Sequence, residues 1–243
     1  MRILTFDCET IPRMDIPESC RPQFDESEVK TGNAGTEKAR EKIEKERAIF
    51  EEKLVKIMSV DPALCQLCTF SGIIYETDEG GDIIEEKTIQ LTAEDEHDDL
   101  EIIATAWAMI HKAYQERIPL VSFNGIGFDL PVLLFRAVVQ DIPVDKVMYD
   151  RLTMKYRNQY HYDLMQVLSG WDRQRWNKLE FYLNLFGLGT KGGMSGDKVY
   201  PAYMAGDYET IKAYCRNDVL ETCMLFARVA PWYYFELEGG DRK

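Results

Sequence analysis

Apolar runs that end in polar or acidic residues predict three strands in the first third of the chain. Residues 2–7 (RILTFD) form the first run, which is largely apolar and closes on an aspartate. Residues 64–75 and 83–91 are also strand-like, and the sequence DEGGD between them, at 78–82, is a hairpin signal. The pattern therefore predicts one strand followed by a hairpin.

Hydrophobic residues at helical spacing dominate the remainder of the chain, with two short strand-like segments between them. A buried strand is predicted at 118–123 and a strand-to-helix turn at 161–163. Helices are predicted at residues 95–114, 130–139, 178–186, 207–212 and 214–229. This order predicts an α/β fold, in which a mixed sheet has helices packed on its faces.

A charged stretch at about residues 18–57 interrupts this pattern after the first strand. Residues from about 37 to 57 are rich in Glu, Lys and Arg, and apolar residues recur there at roughly helical spacing. The stretch is interpreted as an insertion that contains a solvated amphipathic helix, with a lid or substrate clamp as the alternative. The whole chain, residues 1–243, is expected to form a single domain.

The net charge of −13, from 29 basic and 42 acidic residues, argues against a general nucleic-acid-binding protein. Such domains usually carry a basic face. A nuclease with a metal site is compatible with this charge, because bound cations offset clustered carboxylates. Its binding of nucleic acid would depend on a local basic groove and on the salt concentration.

The sequence shows no sign of export or of membrane insertion. No apolar run is long enough to span a bilayer, and the N-terminal residues lack the features of a signal peptide. The six cysteines form no dense framework, as is usual for reduced thiols inside cells. A cytoplasmic protein without membrane contact is therefore expected.

Two acidic residues close the first strand, one on either side of Cys8. Residues two apart on a strand point to the same face, so Asp7 and Glu9 project together while Cys8 points the other way. Two neighbouring carboxylates repel each other unless a positive charge separates them, and Mg²⁺ or Mn²⁺ would do so with oxygen ligands. Taken alone, the pair is more typical of exposed acids at a strand end.

Two later segments add acidic residues. Asp129 ends the sequence FNGIGFD at a strand-to-helix junction, where an aspartate is also a common helix cap. Tyr214 and Asp218 lie four residues apart in a predicted helix and therefore share one face. With an ordinary pKa of about 10, a tyrosine is better suited to orienting a water molecule than to deprotonating it. The segments together provide four carboxylates that could converge on a pair of divalent ions.

The three segments resemble the motifs of the DEDD superfamily of 3′–5′ exonucleases, in its tyrosine-containing branch (DEDDy). Asp7 and Glu9 resemble the first motif, residues 124–129 the second, and Tyr214 with Asp218 the third. The likeness covers nearly the whole chain and is greatest to stand-alone proteins similar to the proofreading exonuclease domain of family B DNA polymerases. It also includes residues 161–164 (HYDL), 188–196 (LGTKGGMSG) and 214–222 (YCRNDVLET). A ribonuclease H-like mixed sheet flanked by helices on both faces is implied.

The resemblance further implies hydrolysis of phosphodiester bonds with two divalent cations, Mg²⁺ or Mn²⁺. Asp7 would bridge both ions, and Glu9 and Asp218 would complete the one that carries the attacking water. Asp129 would hold the second ion, largely through waters, and Tyr214 would align the attacking water. The product would be a nucleoside 5′-monophosphate from the 3′ end of single-stranded DNA or RNA.

Substrate binding is assigned to four residues: Thr10, Asn124, Phe128 and Lys191. Thr10 would hold the terminal nucleotide, and Asn124 would hydrogen-bond to the scissile region. Phe128 would pack near the last base, with the core as its alternative place. Lys191 would neutralise a phosphate from a Gly-rich loop.

Residues 161–176 suggest two supporting roles. Asp163 is expected to cap the helix that follows it, with a place beside the acidic site as the alternative. Trp171 and Trp176, with Arg173 and Arg175 between them, could offer stacking and charge to a single strand, although burial is the ordinary place of a tryptophan.

Other functions fit parts of the pattern. An exoribonuclease would use the same chemistry, and nothing in the sequence indicates whether the substrate contains deoxyribose or ribose. A phosphodiesterase for short oligonucleotides or nucleotides would suit the acidic balance. A catalytically idle nucleic-acid-binding module is a different class, but the presence of all four carboxylates and the tyrosine argues against it. The favoured prediction is a 3′–5′ exonuclease on single-stranded DNA; protein partners are not predicted.

Overall fold

A computed structural model of the protein describes residues 2–32, 35–77, 83–94, 99–156, 160–189 and 194–232. The described part contains one five-stranded sheet, formed by β1 (Arg2–Pro12), β2 (Cys65–Thr77), β3 (Ile83–Thr92), β4 (Leu120–Ser122) and β5 (His161–Asp163). The spatial order is β3-β2-β1-β4-β5. β1 pairs antiparallel with β2 and parallel with β4; β2–β3 is antiparallel and β4–β5 parallel. The predicted mixed sheet is confirmed.

Eight α-helices accompany this sheet in the described residues. They are α1 (Thr36–Ser59), α2 (Leu100–Gln115), α3 (Asp129–Val139), α4 (Lys146–Leu152), α5 (Leu164–Ser169), α6 (Leu179–Leu185), α7 (Val199–Met204) and α8 (Tyr208–Val229). One core packs α2, α3 and α4 against the sheet, and cores on the other side involve α6, α7 and α8. Helices therefore flank both faces, as predicted.

The side chains of β1 alternate between these two cores. Leu4, Phe6 and Cys8 belong to the core beneath α2 and α3. Ile3 belongs to the core beneath α8. Because the period of a strand is two, Asp7 and Glu9 are on the same side as Ile3 and face α8. The β1–β2 pairing has a register shift between Glu9 and Thr10, with Cys68 as the extra residue of β2.

Several predicted boundaries change in the structure. The segments predicted as separate helices at 207–212 and 214–229 form the single helix α8, because no Pro or Gly interrupts it. The short helices α4 and α7 were not predicted. The hairpin is confirmed by the β2–β3 pairing, while its turn at 78–82 lies outside the described residues, as do residues 95–98 of the helix predicted at 95–114.

The charged insertion contains the predicted helix, α1, of which Met58 is the buried residue. Phe24 packs against Phe50 of α1, with the ring centroids 5.7 Å apart, and Arg47 lies over the Phe24 ring. At the end of α1 the carbonyl oxygen of Ser59 accepts a hydrogen bond from the Thr10 hydroxyl, which ties the insertion to β1. Among the described residues, none of the helices combines the length and the apolar character that a membrane span requires.

A buried ion pair joins α3 to the start of α2. The guanidinium of Arg136 donates to both carboxylate oxygens of Asp99, at 2.6 and 2.8 Å, and both side chains are almost fully buried. Asp99 also accepts hydrogen bonds from Gln140 and from the backbone amide of Leu67 in β2. The same carboxylate therefore fixes α3, whose first residue is Asp129, relative to the sheet.

Replacing Asp99 with alanine is expected to lower the free energy of unfolding by about 3–5 kcal/mol, because the Arg136 charge would remain buried without its partner. Urea unfolding measures this change. Glu116→Ala is the matched control, since Glu116 pairs with Arg2 and Lys112 at the surface. It should cost about 1 kcal/mol or less. Equal losses in the two variants would contradict the role given to the buried pair.

Candidate active site

Three of the four predicted carboxylates meet between β1 and α8. Asp7 and Glu9 project from β1, and Asp218 projects from α8, which packs on that side of the sheet. One carboxylate oxygen of each residue lies within 4.8 Å of those of the other two. All three side chains are half-buried. Strand periodicity explains the first pair, whereas Asp218 arrives only through the packing of α8.

The electrostatics of this cluster favour a cation. Burial, followed by the charges of Asp129, Glu9 and Asp218, raises the pKa of Asp7 well above its usual value. The pKa of Glu9 is raised in the same way, by burial and then by Asp218 and Asp129. Burial raises the pKa of Asp218 to about 6. Full ionisation at neutral pH therefore needs a compensating charge, and an all-oxygen donor set suits a hard divalent cation such as Mg²⁺ or Mn²⁺.

Tyr214 lies one helical turn before Asp218 on α8, and its hydroxyl donates a hydrogen bond to that carboxylate. Burial, followed by the charges of Glu9, Asp218 and Asp7, raises the pKa of the phenol far above its usual range. Tyr214 therefore stays protonated at any physiological pH and acts as a hydrogen-bond donor. This agrees with an orienting role for the hydroxyl.

Asp129 lies beside the cluster but is held by Cys8. It is the first residue of α3, and its Oδ1 accepts hydrogen bonds from the Cys8 backbone amide at 3.0 Å and from the Cys8 thiol at 3.2 Å. Burial raises its pKa to about 6. Cys8 does point away from Asp7 and Glu9, as expected, and the fold uses it to anchor the fourth carboxylate.

The loop between β4 and α3 is supported by Asp163 at the end of β5. One carboxylate oxygen of Asp163 accepts from the backbone amide of Asn124 at 3.0 Å, and the other from that of Ile126 at 3.0 Å. The same carboxylate accepts from the amides of Met165 and Gln166, which confirms that it caps α5. Asn124 has a left-handed backbone with φ of 70°. Asp163 thus holds the segment that presents Asn124 and Asp129.

A second buried network below this loop escaped the sequence analysis. The Leu152 carbonyl can only accept, so His161 donates from Nδ1 at 3.0 Å and accepts at Nε2 from the Ser122 hydroxyl at 2.7 Å. The Ser122 oxygen in turn accepts from the Gly125 amide at 3.1 Å. Burial lowers the pKa of His161 to about 4, so the ring is neutral. The signal available in the sequence was that β4 ends at Ser122, shortly before the Asn-Gly turn at residues 124–125.

A cleft of about 950 Å³ opens beside the acidic cluster. Its lining includes Phe123, Asn124, Met165, Trp176, Lys178, Tyr214, Asn217 and Asp218. Oδ1 of Asn124 is buried and has no hydrogen-bond partner among the described residues. Of the residues assigned to substrate binding that the structure describes, Asn124 lines the cleft.

The other substrate-binding assignments find different surroundings. The Thr10 hydroxyl is buried and bonded to Ser59, and Phe128 packs against the core beneath α3. Their side chains already serve the fold, so contacts with a substrate stay predictions. Lys191 lies outside the described residues.

The fold and this acidic site define a class, that of ribonuclease H-like α/β proteins with a carboxylate centre on the face of the sheet. The chain belongs to the family described as predicted 3′–5′ exonucleases related to the exonuclease domain of PolB, whose model matches residues 62–233. The match includes Asp129, Tyr214 and Asp218, while Asp7 and Glu9 precede it. The predicted family and the class of nuclease are confirmed.

The structure is similar to the family B DNA polymerase of the hyperthermophilic archaeon Pyrobaculum calidifontis, with a TM-score of 0.58 and 18% identity over 95% of this chain and 25% of the polymerase. The chain thus spans a quarter of that polymerase. E. coli exonuclease I in complex with a dT13 oligonucleotide matches with a TM-score of 0.37 and 14% identity, over 94% of this chain and 40% of that one. Exonuclease I from Methylocaldum szegediense matches with a TM-score of 0.39 and 14% identity, over 95% of this chain and 40% of that one. Of these three structures, the polymerase has a TM-score high enough to support the fold. No curated protein matches the sequence.

Apo protein is expected to lose stability as the pH rises, and divalent cations should restore it. The folded-state pKa values of Asp129 and Asp218, about 6, exceed the unfolded value of about 3.9, so the folded state binds protons more tightly. This contribution to stability is complete below pH of about 4 and is lost as the pH rises through about 6. Thermal melts in EDTA at pH 5 and pH 7.5, then with Mg²⁺ or Mn²⁺, measure it.

Asp218→Asn is the control for that experiment. It removes one titrating carboxylate and one cation ligand, so it should flatten the pH dependence in EDTA and reduce the stabilisation by Mg²⁺. A variant that keeps the full pH and metal response would show that the response arises elsewhere in the chain.

Gly125→Ala should disrupt the loop that carries Asn124. A Cβ at position 125 would lie 2.3 Å from the Ser122 Oγ, inside the buried network with His161. The expected cost is about 1–3 kcal/mol in the free energy of unfolding, measured in urea. Gly196→Ala is the matched control, because a Cβ there meets nothing within 4 Å. The packing argument is wrong if both substitutions are tolerated alike.

Proposed function

We propose that the protein is a metal-dependent 3′–5′ exonuclease that removes nucleoside 5′-monophosphates from single-stranded DNA. The observation that carries this proposal is the convergence of Asp7, Glu9 and Asp218 beside a cleft, with Tyr214 hydrogen-bonded to Asp218. Membership of a family related to the exonuclease domain of PolB supports DNA as the substrate.

Two divalent cations, Mg²⁺ or Mn²⁺, are proposed as cofactors. Asp7 would bind both ions, Glu9 and Asp218 would bind one of them, and Asp129 would bind the other. Asp129 would contribute through Oδ2, because both of its contacts with Cys8 use Oδ1. When bound, the ions would activate the attacking water and stabilise the leaving 3′ oxygen. The raised pKa values of Asp7 and Glu9 support this site, since only a nearby positive charge would keep both ionised.

The side chains around the cluster would position the substrate. Tyr214, held by its hydrogen bond to Asp218, would align the attacking water in line with the scissile bond. Asn124, which lines the cleft, would hydrogen-bond to the scissile region. Thr10 and Phe128 would contribute to substrate binding mainly by fixing the backbone at their positions. A role for Lys191 in binding a phosphate is proposed from its sequence context.

Digestion of 5′-labelled single-stranded DNA, with matched RNA, tests the proposal. A ladder that shortens from the 3′ end, appears with Mg²⁺ or Mn²⁺ and disappears in EDTA is the expected result. Faster degradation of the RNA strand would show that RNA, rather than DNA, is the preferred substrate. Release of product only from dinucleotides would favour a short-oligonucleotide phosphodiesterase, and no cleavage of any of these would overturn the proposal.

Single substitutions should separate metal binding from alignment of the water. Asp7→Asn and Asp218→Asn should abolish the ladder, because each removes a ligand charge from the cluster. Tyr214→Phe should keep metal-dependent cleavage but lower kcat about 10²-fold, the size of effect produced by a misplaced reactant. Gel-based kinetics on the same labelled strand measure both. Equal kcat for Tyr214→Phe and the unaltered protein would refute the role given to the hydroxyl.

A further inference from the structure

One stretch of this acidic chain is basic. Residues 151–178 contain six basic residues and two acidic ones, a net charge of +4, whereas the whole chain carries −13. The basic residues are Arg151, Lys155, Arg157, Arg173, Arg175 and Lys178. Of the two acids, Asp163 is buried and Asp172 is paired with Arg175. A stretch with this charge balance would attract a phosphate backbone.

This basic stretch reaches the cleft at Trp176. Trp176 and Lys178 line the cleft that also contains Tyr214 and Asp218. The guanidinium of Arg173 lies over the Trp176 ring, 5.3 Å from its centroid. An aromatic face and a cation are thus presented together next to the acidic cluster, which is the combination that single-strand-binding proteins use to stack bases and hold phosphates.

A second aromatic pair continues the stretch away from the cleft. Tyr156 and Trp171 lie with their ring centroids 5.1 Å apart, and Tyr156 is 73% exposed. Both have left-handed backbones, with φ of 64° and 63°. That conformation is unfavourable for bulky side chains and is retained where the surroundings or a function require it. Two residues with left-handed backbones thus pair an exposed tyrosine with a half-buried tryptophan.

The two aromatic positions are close enough for one strand to use both. Trp171 and Trp176 flank a short 3-10 helix, Arg173–Arg175, and five residues of chain separate their Cα atoms by at most about 17 Å. A single strand of a few nucleotides covers such a distance. Glu180 and Glu221 also line the cleft, so the attraction for phosphate lies on the Arg173 side of it.

We infer that Tyr156, Trp171, Arg173, Arg175, Trp176 and Lys178 form a binding strip for the nucleotides of a single strand that lie upstream of its 3′ end. The inference rests on the proposed function and extends it, because it makes a polynucleotide of several residues the substrate. Bases stack on the aromatic rings, and the arginines and Lys178 contact phosphates. Stacking and phosphate contacts of this kind carry no sequence preference.

Binding of fluorescein-labelled dT20 in EDTA, followed by anisotropy at several salt concentrations, tests the strip without cleavage. Tyr156→Ala should weaken binding about 5-fold or more, since it removes one stacking surface. Arg173→Ala should reduce the slope of log K against log salt by about 0.7, the loss of one phosphate contact on a single strand. Both residues are largely exposed, so the variants should fold, and circular dichroism melts verify this.

The matched control removes positive charge elsewhere. Lys38→Ala with Arg40→Ala takes two exposed cations from α1 and should leave dT20 affinity unchanged. Equal weakening by this control would overturn the strip, because it would reduce the effect to net charge. Unchanged binding in both strip variants would also overturn it. Weaker binding of U20 in the same proportion supports the strip, as its contacts do not read the sugar.

A small substrate separates the strip from the proposed chemistry. The p-nitrophenyl ester of thymidine 5′-monophosphate has no upstream nucleotides, so Tyr156→Ala and Arg173→Ala should hydrolyse it with unchanged kcat/KM in Mn²⁺ while losing kcat/KM on dT20. Equal loss on both substrates would contradict the strip. If no substrate is cleaved but dT20 binding still falls in the two variants, the exonuclease proposal fails and the strip stands.

Discussion

The parallel pairing of β1 with β4 fixes where the acidic site forms. Leu4 pairs with Leu120 and Thr5 with Val121, so both strands run toward the same edge of the sheet. Asp7 in β1 and the loop after β4 therefore arrive together, although more than a hundred residues separate them. The contact between Asp129 and Cys8 is the direct product of this register. α8, near the C-terminal end of the sequence, packs against β1 and adds Asp218 to the cluster.

The same arrangement places like charges where water is partly excluded. Burial and mutual repulsion raise the pKa values of Asp7, Glu9 and Asp218, so the apo site opposes folding at neutral pH. Neutral neighbours partly stabilise these carboxylates. The Cys8 thiol donates a hydrogen bond to Asp129 and the Tyr214 phenol donates one to Asp218, and neither group adds a positive charge. A bound divalent cation would balance the negative charge that remains.

The polar residues behind the site are rigid rather than reactive. Asp163 receives four backbone amides, and His161 is held neutral between Ser122 and the Leu152 carbonyl. Satisfied buried networks of this kind specify one loop conformation, here the left-handed turn at Asn124.

The sequence by itself determined the local elements and the chemical types at the site. Period-two alternation placed Asp7 and Glu9 on one face of a strand, and helical spacing placed Tyr214 beside Asp218, because both depend only on neighbouring residues. The family resemblance joined these segments before any contact was visible. Only the tertiary structure decided that Cys8 anchors Asp129, that His161 supports the Asn124 loop and that Trp176 borders the cleft. Such contacts join residues far apart in the chain, and their geometry follows from strand register and helix packing rather than from any local pattern.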